Sequence, residues 1–190
     1  MYKTVVFDLD GTLLNTLTDL ADAGNRLCRK YGWPTHERQA YRYFVGNGIP
    51  KLVERLAPAD QRTPAVLEAA LADFKRDYGQ HLRDTTAPYP GIPEMLAKLK
   101  ANGVQLAVFS NKADALAKEV VKDYFGTQYF TIVRGQMTGV APKPAAEGTN
   151  ALLQALHADP ASTLYVGDSN VDVETAHNAN LPCCGAVWGF

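Results

Sequence analysis

The stretch VVFDLDGTLLNT, from Val5 to Thr16, joins a short apolar run to two aspartates. Its first three residues are β-favouring and typical of a buried parallel strand, and Gly11 marks the place where such a strand stops. Because side chains alternate between the two faces of a strand, Asp8 and Asp10 point to the same side. Two carboxylates there repel each other unless a cation or a shared proton relieves them. The stretch therefore predicts a metal site or a proton-transfer role.

Length, composition and charge narrow the classes of function. The chain has 190 residues, enough for one domain or a domain with an insertion, and its 46% hydrophobic and 21% charged residues are typical of globular proteins. The net charge of -1 is spread along the chain and indicates neither a nucleic-acid surface nor a polybasic membrane anchor. No apolar run approaches a membrane span, and no signal-peptide pattern opens the chain. We expect a cytoplasmic protein with a small-molecule partner and an oligomeric state that the sequence leaves open.

The spacing of apolar residues changes along the chain. From Leu17 to about Thr85 they recur at helical intervals, with no convincing strand between them. A Pro- and Gly-rich stretch, Ala87 to Gly91, follows, and after it helices and strands alternate. Repeated β–α units predict a right-handed parallel sheet covered by helices. The predicted fold class is α/β, a Rossmann-like parallel-sheet core (residues 1–14 and 86–190) with an inserted all-helical cap (residues 15–85).

Two finer predictions concern the bounds of elements in the second half of the chain. The run KADALAKEVVKDYF predicts a helix that begins at Lys112 and ends at Phe125. The run PCCGAVWGF, Pro182 to Phe190, predicts a last strand.

Polar residues follow the predicted strands at their carboxyl ends. Ser110 and Asn111 follow VQLAVF, Asp168 follows TLYV, and Lys143 precedes a predicted helix. Because the carboxyl ends of parallel strands meet at one edge of a sheet, these residues should converge with the first two aspartates. Carboxylate oxygens suit Mg²⁺, while an ammonium and a hydroxyl can hold phosphate oxygens. The set predicts phosphate held beside Mg²⁺ and comprises Asp8, Asp10, Ser110, Lys143, Asp168 and Asp172.

Four short motifs resemble those of the haloacid dehalogenase-like hydrolase superfamily. They are DLDGT at Asp8 to Thr12, Ser110-Asn111, Lys143-Pro144 and GDSNVD at Gly167 to Asp172. Their order and spacing match as well. A helical insertion directly after the first motif is similar to the phosphatases with a small C1 cap, especially the phosphoglycolate phosphatase and β-phosphoglucomutase group. The resemblance covers nearly the whole chain and implies a phosphatase.

The resemblance also implies roles for individual residues. Asp8 would attack phosphorus and become a transient aspartyl phosphate, while Asp10 would act as general acid and base. Mg²⁺ would be held by Asp8, by the main-chain carbonyl of Asp10 and by Asp168, with Asp172 reaching the waters of the metal. The implied catalytic residues are Asp8, Asp10, Ser110 and Lys143. The implied substrate-binding residues are Gly11, Thr12, Ser110, Asn111, Lys143, Gly46 and Gly48.

Three functions remain open at this stage. The first is a Mg²⁺-dependent phosphomonoester hydrolase acting on a small phosphorylated metabolite, with 2-phosphoglycolate as one candidate. The second is a β-phosphoglucomutase-like phosphomutase that uses the same aspartyl phosphate. The third, of another class, is a phospho-acceptor signalling domain or a non-catalytic binding domain. The signalling reading is disfavoured because such domains carry adjacent acids after the first strand and no long helical insertion there.

Overall fold

The computed structural model describes all residues of the chain, 1–190. The chain divides into two compact units, one formed by Met1–Asn15 with Pro88–Phe190 and the other by Thr16–Ala87. We call them the sheet unit and the helical unit. No helix of the structure combines the length and the apolar character needed to cross a membrane.

A five-stranded parallel sheet forms the centre of the sheet unit, which confirms the predicted α/β fold class. Its strands run in the order β5-β4-β1-β6-β7, and two further strands of two residues each, β2 and β3, pair with each other. The strands are β1 (Thr4–Phe7), β2 (Leu14–Asn15), β3 (Ala87–Pro88), β4 (Gln105–Ala113), β5 (Phe130–Gln136), β6 (Thr163–Gly167) and β7 (Cys183–Gly185).

Eight α-helices accompany these strands, four in each unit. They are α1 (Leu17–Tyr31), α2 (Tyr41–Phe44), α3 (Ile49–Leu56), α4 (Pro64–Gln80), α5 (Ile92–Ala101), α6 (Asp114–Phe125), α7 (Ala146–Leu156) and α8 (Asn170–Asn178).

Strand β1 lies in the middle of the sheet, and its side chains are therefore buried along its whole length. Phe7, its last residue, lies opposite Val108 of β4 on one side and Val166 of β6 on the other. This register places the carboxyl ends of three neighbouring strands at one edge of the sheet. Residues that follow these strands therefore lie together, as parallel-sheet topology requires.

Two element bounds differ from the sequence prediction. The helix predicted to begin at Lys112 begins at Asp114, because β4 continues through Ala113, which pairs with Gln136 of β5. The predicted last strand was also too long, since β7 covers only Cys183–Gly185. Pairing with a neighbouring strand outweighed the helix-forming composition of the first segment.

The helical unit is held by a close approach between its first helix and Tyr41. A side chain at Gly24 would bring a Cβ within 2.5 Å of the Tyr41 hydroxyl, so α1 needs a glycine there. The Tyr41 hydroxyl donates a hydrogen bond to Asn25 Oδ1 at 3.0 Å. Tyr41 is fully buried, and its pairing with Asn25 satisfies a hydroxyl that would otherwise be costly to bury.

One buried carboxylate ties the end of the helical unit to its beginning. Asp19 of α1 is 2% exposed and accepts hydrogen bonds from the backbone N–H groups of Thr85 and Thr86, both at 2.9 Å. The hydroxyls of the same two threonines donate to the same carboxylate. Four donors therefore share one buried, charged acceptor group, and hydrogen bonds to a charged acceptor are stronger than those between neutral groups.

We expect Asp19→Ala to lower the free energy of unfolding by about 3 kcal/mol, because buried N–H donors lose a charged acceptor. Urea unfolding followed by circular dichroism measures the change. Asp22→Ala is the matched control, since Asp22 lies on the same helix and is exposed. Equal stability of the two variants would contradict the structural role of Asp19.

Candidate active site

The residues predicted from the strand ends lie together at one edge of the sheet. Asp8 follows β1 directly, and its backbone N–H donates to the carbonyl of Val166 in β6 at 2.8 Å. Ser110 lies within β4 and is buried. Asp168 follows β6, and Asp172 lies in the first turn of α8.

Three carboxylates form the centre of this site. Asp8, Asp168 and Asp172 each offer an oxygen, and these oxygens all lie within 4.8 Å of one another. Burial and the Asp172 carboxylate raise the pKa of Asp8 to about 8, against the opposing effect of Lys143. Burial also raises the pKa of Asp168. The site therefore concentrates negative charge that positive charge must offset.

Lys143 supplies part of that positive charge. Its Nζ lies 2.8 Å from Asp8 Oδ1 and donates a hydrogen bond to Asp172 Oδ1 at 2.7 Å. Nζ also donates to the hydroxyl of Tyr165 at 3.2 Å. Burial alone would lower the pKa of Lys143, but the carboxylates and Tyr165 hold it well above its usual value. The lysine is thus a fixed cation between two acids.

Asn111 fixes the backbone at Lys143. Its side-chain oxygen accepts from the Lys143 N–H at 2.8 Å, and its side-chain nitrogen donates to the Lys143 carbonyl at 3.2 Å. Substrate binding by Asn111 stays a prediction, and in the structure both ends of its amide are engaged with the Lys143 backbone. Its observed contribution is to orient the loop that carries the lysine.

Asp172 is held by its own helix. Its Oδ2 accepts from the backbone N–H and the hydroxyl of Ser169, at 3.1 and 2.7 Å, and so closes a capping box at the start of α8. Burial would raise the pKa of Asp172, but Lys143 and the Ser169 donors together lower it. This carboxylate therefore remains ionised and has a donor on each oxygen.

Asp168 is oriented by two segments far apart in sequence. The hydroxyl of Thr12 donates to Oδ1 at 2.9 Å, and the backbone N–H of Phe190 donates to Oδ2 at 3.0 Å. Gly11 has a φ of 89°, and a Cβ there would come within 2.3 Å of the Asp168 carboxylate. Substrate binding by Thr12 stays a prediction, and its hydroxyl is hydrogen-bonded to Asp168 in the structure.

Asp10 lies apart from the three clustered carboxylates. Its two oxygens are 3.1 and 3.3 Å from Nζ of Lys112, a lysine whose side chain is 2% exposed. Lys112 was not predicted to belong to the site, because its segment was predicted to be a helix. Its position depends on β4 continuing past Ser110, through an irregular stretch, to the pairing of Ala113 with Gln136.

Tyr165 was also missed. It is fully buried in β6, and its hydroxyl donates to Asp172 Oδ1 at 3.3 Å besides accepting from Lys143. The available signal was a tyrosine between a leucine and a valine in the strand that leads to Asp168, because a buried hydroxyl needs polar partners.

Two predicted substrate residues belong to the helical unit. Gly46 and Gly48 lie between α2 and α3 and have φ values of 98° and 81°. These left-handed conformations favour glycine and explain its presence at both positions.

The residues of the site fit a hard divalent cation. The donor set is all oxygen, which Mg²⁺ prefers. Asp8 Oδ1 is buried and accepts no hydrogen bond, although the Lys143 ammonium is close by. A cation bound beside Asp8 and Asp168 would add a second positive contact to that oxygen and reduce the carboxylate repulsion.

Comparison with known proteins identifies close relatives. The chain is 31% identical over 191 residues to a phosphoglycolate phosphatase of Thiobacillus denitrificans, covering 99% of this chain and 84% of that protein. It is 32% identical over 191 residues to a phosphoglycolate phosphatase of Neisseria meningitidis, covering 99% and 81%. A crystal structure of a candidate phosphoglycolate phosphatase from Lactobacillus delbrueckii subsp. bulgaricus has a TM-score of 0.93 and 28% identity, covering 99% of this chain and 87% of that chain.

The family comparison agrees with these relatives. Residues 5–186, which include every residue of the site except Phe190, match the family described as haloacid dehalogenase-like hydrolase. The parallel sheet, the clustered carboxylates and the buried lysine occupy positions that the four sequence motifs predicted. The chain belongs to the haloacid dehalogenase-like hydrolase family.

Proposed function

We propose that this hydrolase is a Mg²⁺-dependent phosphatase of small phosphorylated metabolites, with 2-phosphoglycolate as the first substrate to test. The observation that carries the proposal is the placement of Asp8, which lies within reach of Lys143 and of two further carboxylates. The substrate is supported by the names of the two relatives that are 31% and 32% identical to the chain.

Asp8 is the proposed nucleophile. An oxygen of its carboxylate would attack phosphorus, the bond from phosphorus to the ester oxygen would break, and an aspartyl phosphate would form. Burial of Asp8 favours this role because a carboxylate stripped of water is a stronger nucleophile. The Lys143 ammonium would offset the charge that collects on the phosphoryl oxygens.

Asp10 is the proposed acid and base. In the first half of the reaction its carboxyl proton would go to the departing alkoxide, which leaves as an alcohol. In the second half the Asp10 carboxylate would take a proton from water, which attacks the aspartyl phosphate and releases inorganic phosphate and free Asp8. The cycle ends with Asp10 protonated again.

The remaining residues would bind and orient. The carboxylates of Asp8 and Asp168 would hold Mg²⁺ together with the main-chain carbonyl of Asp10. The Asp172 carboxylate would accept hydrogen bonds from the waters bound to the metal. When bound, the metal supplies positive charge that draws electrons from the phosphoryl group. The Ser110 hydroxyl would donate to a phosphoryl oxygen.

The helical unit is proposed to act as a cap that selects the leaving group. Gly46 and Gly48 in its α2–α3 turn are the residues that we assign to the substrate mouth, because a residue without a side chain lets a ligand approach the main chain closely. Substrate choice would then depend on this unit, while the chemistry stays with the sheet unit.

We expect phosphate release from 2-phosphoglycolate to require Mg²⁺ and to fall to background when the metal is removed by a chelator. Phosphate release is measured with a panel of small phosphoesters, including an aryl phosphate, before and after chelation. Adding Mg²⁺ back should restore turnover, and Ca²⁺, which prefers larger and less regular coordination, should not substitute fully.

The panel distinguishes the alternatives. Metal-dependent turnover that favours 2-phosphoglycolate supports the proposal. Turnover of other esters but not of 2-phosphoglycolate would support the phosphatase activity and show that the proposed substrate is wrong. Turnover that survives complete chelation would contradict the metal dependence. Folded protein that releases no phosphate from any ester, but interconverts a sugar phosphate when given its bisphosphate, would point to the phosphomutase.

A further inference from the structure

We propose that Lys112 is a positioning residue, which holds the Asp10 carboxylate ready for proton transfer to the leaving group and stabilises the charge that forms on it. This inference rests on the proposed function, because it gives Asp10 the role of general acid. It adds a residue outside the four motifs from which the site was predicted.

The geometry of the pair is the first argument. Lys112 Nζ lies 3.1 Å from Oδ1 and 3.3 Å from Oδ2 of Asp10, so the ammonium faces both oxygens of the carboxylate. The Lys112 side chain is 2% exposed, and that of Asp10 is 21% exposed. The lysine is thus fixed inside the protein, while the carboxylate that it holds is still partly exposed.

Burial separates this pair from an ordinary surface ion pair. An exposed pair contributes little, because water screens the charges and both side chains lose freedom on pairing. A lysine buried to this extent needs a partner, since an unpaired ammonium would be far costlier to remove from water. Placing Lys112 here therefore imposes a position on Asp10 as well.

The two buried lysines of the site form ion pairs with different carboxylates. Lys143 contacts Asp8 and Asp172, whereas Lys112 contacts Asp10. Asp10 is correspondingly absent from the cluster of carboxylates that could hold a metal ion. Lys112 thus keeps one carboxylate apart from the metal-binding set and available for moving a proton.

The backbone of β4 fixes Lys112 relative to the phosphate-binding residues. Its N–H donates to the Ser110 hydroxyl at 3.2 Å, and the adjacent Ala113 pairs with Gln136 of β5. The stretch from Ser110 to Lys112 is an irregularity of β4. Phe109 before it and Ala113 after it nevertheless both pair with β5, so the backbone at Lys112 is anchored on both sides.

The charge balance of the first step favours the same role. As the ester bond breaks, the proton of Asp10 moves to the leaving oxygen, which becomes an alcohol, and Asp10 becomes a carboxylate. The nearby ammonium of Lys112 stabilises that new negative charge. The help should matter most for leaving groups that need a proton, namely alkoxides, and least for a nitrophenolate, which departs readily as an anion.

The experiment measures kcat/KM for a series of phosphate esters whose leaving groups range from para-nitrophenol through phenol to ethanol. This ratio reports the step that forms the aspartyl phosphate, in which the leaving group departs. For Lys112→Met we expect a loss of about 10²-fold with ethyl phosphate and only a few-fold with para-nitrophenyl phosphate. In Lys112→Met, kcat/KM should therefore depend more steeply on the acidity of the leaving group than it does in the wild type.

Three further variants complete the test. Lys112→Arg keeps a cation and should show most of the wild-type dependence of kcat/KM on the leaving group. Lys112→Gln also removes the charge and is used in place of Lys112→Met if Lys112→Met does not fold. In an Asp10→Asn background, Lys112→Met should add little, because the group on which it acts is gone. Lys118→Met is the matched control, since it breaks the exposed Lys118–Asp114 pair (2.7 Å) of α6 and should leave the series unchanged.

Equal losses across all leaving groups in folded Lys112 variants would overturn the proposal and leave Lys112 a merely structural residue. A full additional loss in the Asp10→Asn background would overturn it as well. Failure of the proposed function looks different, because the wild type itself would then release no phosphate from any member of the series.

Discussion

Replacing Asp8 by Asn is expected to reduce phosphate release by at least about 10⁴-fold, the scale seen when a nucleophile that acts as part of a unit is removed. The side chain keeps its size, but a neutral amide cannot attack phosphorus and carry it as an aspartyl phosphate. The measurement is phosphate release from 2-phosphoglycolate and phenyl phosphate in saturating Mg²⁺. Both substrates should be affected alike, since both require the same attacking oxygen.

The fold of the Asp8→Asn variant should survive. In the metal-free protein, burial and Asp172 already raise the pKa of Asp8 to about 8, so the charged form is the unfavourable one at neutral pH. A neutral amide removes that repulsion, and urea unfolding should show no loss of stability. Asp123→Asn, at an exposed position of α6 in the same unit, is the control and should keep full activity. Turnover within tenfold of wild type would rule out Asp8 as the nucleophile.

The parts of the fold and site that the sequence predicted are those in which local pattern and topology agree. The apolar run before Asp8 is buried throughout, and the alternation of helices and strands after Gly91 gives a parallel sheet. In such a sheet the carboxyl ends of neighbouring strands must meet, so the positions of Asp168 and Lys143 followed from topology without any knowledge of side-chain contacts.

What the sequence did not predict depends on long-range pairing. Lys112 was assigned to a helix because helix-forming residues follow it, but the pairing of Ala113 with Gln136 keeps the chain extended. The partner of Asp168 on one side is the backbone N–H of Phe190, 22 residues away, and a backbone donor has no signature in residue type. Likewise the hydrogen bond between the Asn111 side chain and the Lys143 backbone could not be read from the sequence, because the two residues are 32 positions apart.

Replacing Lys143 by Met is expected to have the largest effect on stability. The side chain is similar in length and remains buried, but the ammonium that lies 2.8 Å from Asp8 and 2.7 Å from Asp172 is gone. Removing one member of a buried ion pair costs about 3–5 kcal/mol, because the partner charge is left without compensation. Urea unfolding at neutral pH in the presence of chelator measures the loss, and phosphate release should fall with it.

Lys118→Met is the control here too, since Lys118 is 56% exposed and its pairing with Asp114 should contribute no more than about 0.5 kcal/mol. Mg²⁺ should recover part of the stability lost in Lys143→Met, because a divalent cation returns positive charge to the same carboxylates. The contrary result would be that Lys143→Met unfolds at the same urea concentration as the wild type. In that case protonation or water must compensate the negative charge of Asp8 and Asp172. Lys143 would then act on the phosphoryl group alone, and the carboxylates would not depend on it for their place in the fold.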